Sequence, residues 1–322
     1  MRWFHEGVDR LHVALMSRLA PRVFRHGVDS SCLRSHLDAV QFDLPPLTTA
    51  RRYTVAAQSP VGGIETGLQV RWGPRPDLPV VVYHHGLAEM PYDNSFRAIF
   101  RTHVPVDAHL VAIRAPFHRS WLDLLLGLST LECFMAMCAV SVRLVEAIRV
   151  RLITHGTQGC LVAGISLGGF VALTHHLVYG TADGYLPLLA GPDLAHVLLD
   201  THFRRFLASQ ALTQAGLIRQ RLDLRQAFQN SDSARIFPLL ARYDLDMLYT
   251  HHHACYVDSK VPVVTIDRGH LTGALTSATL RQHILTRLNA DSGKLARPAS
   301  FGHGPGSSLG GLPRCGRLFS VA

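Results

Sequence analysis

Gln158-Gly159-Cys160-Leu161-Val162-Ala163-Gly164-Ile165-Ser166-Leu167-Gly168-Gly169-Phe170 runs from an apolar segment into a helix-compatible one through a G-x-S-x-G pentapeptide. The apolar half reads as a strand covered on both faces, and Phe170-Val171-Ala172-Leu173 opens a helix that ends near Gly180. A serine at such a junction sits on a tight turn, where a base can take its proton as the hydroxyl attacks a carbonyl. Gly164 and Gly168 carry no Cβ, so strand and helix can pass close to it. Ser166 is therefore the candidate nucleophile. The chain contains its own control, because Gly306-Ser307-Ser308-Leu309-Gly310 has the same pattern. That stretch has no strand before it and no helix after it, so Ser308 reads as compositional.

Outward from Ser166, residues 80–83, 110–113 and 160–163 are short, wholly apolar runs, as expected of strands inside a covered parallel sheet. Residues 122–155 suit a helical crossover between the last two. Upstream, strand-like runs at 53–57 and 68–72 flank a turn cluster at 60–63, which predicts an antiparallel hairpin. Downstream come a strand at 185–190, a helix-rich segment at 193–232, strands at 237–241 and 261–266, and a helix at 275–289. The alternation predicts one α/β domain over residues 51–290: a doubly wound, mostly parallel sheet with an N-terminal antiparallel hairpin and a helical insertion at 193–232. Residues 1–50 form a lead-in with an amphipathic helix. Residues 291–322 are Gly/Pro/Ser-rich and predict a disordered tail.

The 322 residues are 48% hydrophobic and carry a formal charge of +9. Lysine occurs only at Lys260 and Lys294; the remaining cations are arginines spread along the chain, without the aromatic-interleaved patch of a nucleic-acid binder. No nucleic-acid partner is expected. The nearest approach to a membrane span, residues 121–142, is interrupted by Asp123 and Glu132, and no secretory signal pattern opens the chain; a cytoplasmic protein is expected. The six cysteines lack C-x-x-C spacing and predict neither a disulfide framework nor a zinc site. Phe4, Val8, Leu11, Leu15 and Leu19 recur at helical spacing. Glu6 and Asp9 favour docking of that helix on its own domain; Trp3 and the arginines suit peripheral membrane contact through residues 1–24.

A nucleophilic serine needs a base, an orienting acid and donors for the developing oxyanion. The strand at 263–266 runs into Asp267-Arg268-Gly269-His270, which makes His270 the candidate base. The strand at 237–241 runs into Arg242-Tyr243-Asp244, which makes Asp244 the candidate acid, with Asp246 as the alternative. The strand at 80–83 ends in His84-His85-Gly86-Leu87, so the Leu87 and Leu167 N–H groups are candidate oxyanion donors. Asp267 is too close in sequence to His270 to be the acid of the family that this order of residues resembles, and is left a secondary contact. His175-His176 and His251-His252-His253 invite a metal reading, but no neighbouring acidic residue or cysteine completes a known ligand spacing, so neither metal nor cofactor is assigned.

With His85-Gly86-Leu87, Gly164-Ile165-Ser166-Leu167-Gly168, Asp244 and Gly269-His270 in this order, residues 50–290 resemble the α/β-hydrolase superfamily, in particular its serine esterases and lipases. The resemblance implies nucleophile, acid and base roles for Ser166, Asp244 and His270, and a cap role for 193–232. Glu89-Met90-Pro91-Tyr92 stands where one lipase group has further glycines, so that multi-glycine oxyanion loop is absent. The expected activity is hydrolysis of a small-molecule carboxylic ester with a hydrophobic acyl group through an acyl-enzyme. A non-catalytic binding protein of the same fold and an acyltransferase are the alternatives. Oligomeric state is not legible in the sequence.

Overall fold

The computed structural model describes residues 1–19 and 22–295. Its strands are β1 (Gln41–Phe42), β2 (Arg52–Ser59), β3 (Gly62–Arg71), β4 (Val80–His84), β5 (His109–Arg114), β6 (Cys160–Ile165), β7 (Gly184–Leu188), β8 (Leu239–Ala241) and β9 (Val264–Ile266). They form one sheet in the order β1-β2-β3-β5-β4-β6-β7-β8-β9. The first four in that order pair antiparallel, and every pairing from β5 to β9 is parallel.

Burial explains the arrangement. Every residue of β4 and β6 is buried, so these strands need a helical layer on each face. Val80, Val82 and Val162 pack on one side with the helices Leu131–Thr154 and Leu167–Val178, whereas Val81, Tyr83, Leu161 and Ala163 pack on the other with Leu280 and Ile284 of the helix Ser277–Leu295. Successive side chains pointing to opposite faces divide one apolar run between two cores. In β2, by contrast, exposed and buried residues alternate, as suits a strand near the edge.

The expected hairpin is β2 and β3, in register from Arg52 opposite Gln69 to Ser59 opposite Gly62. The predicted 122–155 helix is two, Trp121–Gly127 and Leu131–Thr154, because Thr130 turns the chain and caps the second by accepting from the Cys133 N–H at 3.0 Å. Between β7 and β8 lie the short helices Leu194–Asp200, Ser209–Thr213, Ala215–Leu222 and Arg225–Gln229 and a 3-10 turn, His202–Phe206, where the helical insertion was expected. Strand β1 and the helices Leu33–Ala39, Asn94–Ile99 and Tyr249–Asp258 were not foreseen. The last helix reaches Leu295, past the predicted start of a tail at 291; residues 296–322 of that tail, with Ser308, lie outside the described residues. Cys133, Cys138, Cys160 and Cys255 are free thiols.

The N-terminal helix Arg2–Leu19 docks on its own domain, though not by the stripe that made it amphipathic. His5, Asp9 and Val13 face inward and are buried, while Leu11 is 70% and Leu15 55% exposed, with Phe4 outward beside them. A wheel reads only polarity, and here polar side chains are buried because they have hydrogen-bond partners. No single described helix is long and apolar enough to cross a membrane; Trp121–Gly127 and Leu131–Thr154 pass that test only together, and they meet at a 107° bend.

Candidate active site

The turn after β6 holds Ser166 at φ 54°, ψ −116°, a conformation few non-glycine residues adopt. Both neighbouring glycines are required by close approach. A Cβ at Gly164 would lie 2.2 Å from the Gly168 carbonyl carbon, and one at Gly168 would lie 2.1 Å from the His84 carbonyl oxygen. Glycine at 164 and 168 thus lets this strand, this helix and β4 meet at these distances. It leaves the Ser166 hydroxyl at the carboxyl end of the parallel strands.

The loops after β8 and β9 bring the other two candidates to the same edge. His270 Nε2 lies 3.1 Å from Ser166 Oγ, and its Nδ1 lies 2.7 Å from Asp244 Oδ2. With the proton on Nδ1, the imidazole donates to the carboxylate and its Nε2 lone pair faces the hydroxyl. The other Asp244 oxygen accepts from the Asp246 and Met247 N–H groups, at 2.9 and 2.7 Å, which restrains the carboxylate. Asp244, not Asp246, is the carboxylate hydrogen-bonded to His270. Asp246 is buried nearby with Oδ1 unpartnered, and burial pushes its carboxyl up to about 7. Asp267 pairs instead with Arg242 at the surface.

Burial would lower the pKa of His270, but the charge of Asp244 and its hydrogen bond, with the charges of Asp246 and Asp9, outweigh it and raise the imidazole to about 9. Burial and the Asp9 charge raise the Asp244 carboxyl, while His270 and the Met247 N–H pull it down; the net direction is up. The arrangement can move a proton from Ser166 and hold the imidazolium that results.

Gly86, which precedes Leu87, lies close to Ser166, since an ideal Cβ there would be 3.6 Å from the Ser166 Cβ, and Leu167 opens the helix that follows the serine. Among the described residues neither N–H donates to a backbone carbonyl. Two side chains that the sequence did not single out shape this loop. Glu89 accepts from the Gly86 N–H at 3.3 Å and from the N–H and hydroxyl of Ser95, and His118 Nε2 lies 2.6 Å from the Leu87 carbonyl oxygen. Glu89 thus does by a side chain what further glycines do by conformational freedom, namely set the path of the loop. No spacing links His118 to Leu87, so only the fold reveals that contact.

The histidine runs are placed elsewhere. His175 is tied to Glu146 and Tyr185 within the core. His251 stacks on His196 with ring centroids 3.6 Å apart, and its Nε2 lies 2.8 Å from Asp193 Oδ2. Cys255 is closer to them than the spacing indicated, since His251, His252 and Cys255 each place one ligand-type atom within 4.8 Å of the others. His251 Nε2 is already committed to Asp193, and the His252 ring stands at 88° to that of His251. A cleft of about 550 Å³ separates the insertion from the acid loop, lined by His202, Arg204, Arg205, Leu245 and Leu248; Ser166 does not line it.

No protein-family model and no curated protein matches this chain. Solved structures do. A carboxyl esterase from Bacillus coagulans superposes with a TM-score of 0.54 at 11% identity, over 75% of this chain and 99% of that one. An acetyl xylan esterase from Paenibacillus sp. R4 superposes at 0.51 and 16% identity, over 88% and 93%. The chain has the α/β-hydrolase fold. An acylaminoacyl peptidase from Pyrococcus horikoshii shares this fold at a TM-score of 0.50 and 14% identity, over 79% of this chain and 43% of that one. In an α/β-hydrolase sheet, Ser166, Asp244 and His270 follow the chain order serine, acid, histidine and emerge at one sheet edge.

Proposed function

We propose that this protein is a serine hydrolase that cleaves a small-molecule carboxylic ester through an acyl-enzyme. The observation that carries the reading is the unbroken relay from Ser166 Oγ through His270 to Asp244, at 3.1 and 2.7 Å. Ser166 attacks the carbonyl carbon as His270 Nε2 takes its proton. The carbonyl oxygen, now anionic, is met by the Leu87 and Leu167 N–H groups. His270 then protonates the leaving alcohol as the ester bond breaks. Water attacks the acyl-enzyme with the same histidine as base, releasing the acid and restoring Ser166. The esterases among the structural neighbours support this reaction class. The helical insertion is the proposed cap.

A fluorophosphonate probe tests the nucleophile: labelling of the wild type that is lost in Ser166→Ala supports it, and equal labelling of both refutes it. A series of p-nitrophenyl esters of graded chain length then reads the acyl preference, where a hydrophobic acyl group predicts kcat/KM rising with length to an optimum. If acetate is cleaved best, the hydrophobic preference is wrong.

A second part of the proposal concerns the surface. The outward stripe of the N-terminal helix, Phe4, Leu11 and Leu15, with Trp3 76% exposed beside it and Arg2, Arg10 and Arg18 along its length, suits peripheral contact with an anionic membrane. Flotation with vesicles of phosphatidylglycerol and phosphatidylcholine checks this: wild type is expected to float and Leu11→Ser/Leu15→Ser to remain below. Equal behaviour of the two rules it out.

A further inference from the structure

We propose that Asp9 is a positioning residue for His270, so that the N-terminal helix is part of the reaction machinery of the α/β domain. This rests on the serine-hydrolase reading above. Asp9 is fully buried. Its Oδ2 accepts from the His270 N–H at 2.8 Å, its Oδ1 from the Leu271 N–H at 3.2 Å, and Oδ2 again, at a longer 3.4 Å, from the Leu245 N–H. One carboxylate therefore holds the backbone on which the base is mounted and also the residue directly after the acid Asp244. The two loops that must keep His270 and Asp244 in register are pinned to a single side chain 261 positions from His270 in sequence.

A second observation points the same way. Gly269 has φ −90°, which any residue adopts, so its backbone does not require glycine. Space does. A Cβ there would lie 2.7 Å from Asp9 Oδ2 and 3.0 Å from the His5 carbonyl oxygen. Gly269 also precedes the helix His270–Ala274, where a local capping side chain ordinarily serves the first N–H groups; having none, it leaves that task to Asp9. One turn before Asp9, His5 stacks on Tyr243 and places Nδ1 2.8 Å from Thr272 Oγ1, which accepts from the Gly269 N–H. The helix thus grips both catalytic loops at two successive turns.

The carboxylate also acts by charge. The groups acting electrostatically on His270 are Asp244 and Asp246 on the acid loop, Asp9 and His12 on the N-terminal helix, and His252 on the helix Tyr249–Asp258. Asp9 is an acidic member of this set that does not touch the imidazole, and its charge favours the imidazolium formed during attack.

The full-length protein with Asp9→Asn, Asp9→Ala and Gly269→Ala tests the assignment. Asp9→Ala is expected to lower kcat on a p-nitrophenyl ester by roughly 10- to 100-fold, with KM changed less than about threefold, because a displaced base impairs the transition state more than substrate binding. Asp9→Asn keeps a carbonyl oxygen for the His270 N–H and loses the charge, so it should retain more of the rate while its acid limb of kcat/KM moves to lower pH. Gly269→Ala should reproduce the kcat loss with Asp9 intact. NMR titration of His270 in Ser166→Ala and Ser166→Ala/Asp9→Asn reads the charge effect without turnover, and the second protein should titrate lower. A folded Asp9→Asn with unshifted pH limb and unshifted His270 titration overturns the proposal, as does a folded Asp9→Ala with wild-type kcat. Failure of the hydrolase reading looks different: Ser166 is then unlabelled by fluorophosphonate in the wild type, while the titration still reports on Asp9.

Discussion

Ser166 is held in its left-handed conformation by the strand and helix on either side, and such a residue costs on the order of 1–3 kcal/mol in stability. Ser166→Gly should therefore raise the melting temperature while abolishing ester turnover; a lowered melting temperature would contradict the strain argument. Gly168→Ala places a methyl 2.1 Å from a backbone oxygen that cannot move aside, and should cost about 1–3 kcal/mol or prevent folding, read by urea denaturation. Asp244→Asn leaves the shape unchanged but permits the wrong imidazole tautomer, so kcat should fall by about 10³- to 10⁴-fold. Because His270 is raised to about 9, only its neutral form can act as base, and that form grows as pH rises. kcat/KM should climb by about tenfold per pH unit from 7 toward 9 and then level; a plateau already reached at pH 7 would show that the base titrates lower. The sign for stability is opposite: the charged His270 contributes stability below its unfolded value near 6.5, and this is lost as pH rises through about 9.

At the scale of elements, the loop from β4 to the helix Asn94–Ile99 shows how side chains replace a motif. Glu89 and His118 hold the segment that carries Leu87, and burial raises the Glu89 carboxyl while the Ser95 and Gly86 donors lower it, for a net upward shift. His118→Ala removes the ring against the Leu87 carbonyl oxygen and should lower kcat about tenfold with little change in KM, since a misplaced oxyanion donor affects the transition state first. Steady-state kinetics on one ester checks it, and an increase confined to KM would assign His118 to substrate binding. The N-terminal helix is the element on which sequence and structure diverge most. Its apolar periodicity located the helix, but the face that docks carries His5 and Asp9, whose partners at Thr272 and His270 lie at the far end of the chain. Periodicity registers polarity along one segment and has no access to a hydrogen-bond partner more than 250 residues away.

At the scale of the whole molecule, residues 1–50 are not a separate unit: β1 joins the sheet, and the first helix binds the loops after β8 and β9. Urea unfolding followed by tryptophan fluorescence, with Trp3, Trp72 and Trp121 spread over these regions, should coincide with the far-ultraviolet transition, and an earlier fluorescence transition would show that the lead-in unfolds alone. The sequence by itself determined the strand-turn-helix around Ser166, the covered parallel strands and the positions of Asp244 and His270, because these depend on local burial pattern, on glycine at close approach and on chain order at strand ends. The contacts of Asp9, Glu89 and His118, the hydrogen bond by which Asp244 and not Asp246 meets His270, and the outward turn of the Phe4, Leu11 and Leu15 stripe were decided only by tertiary structure. Each depends on which donor and acceptor meet across distant segments, and a buried polar group is stable only where that meeting occurs.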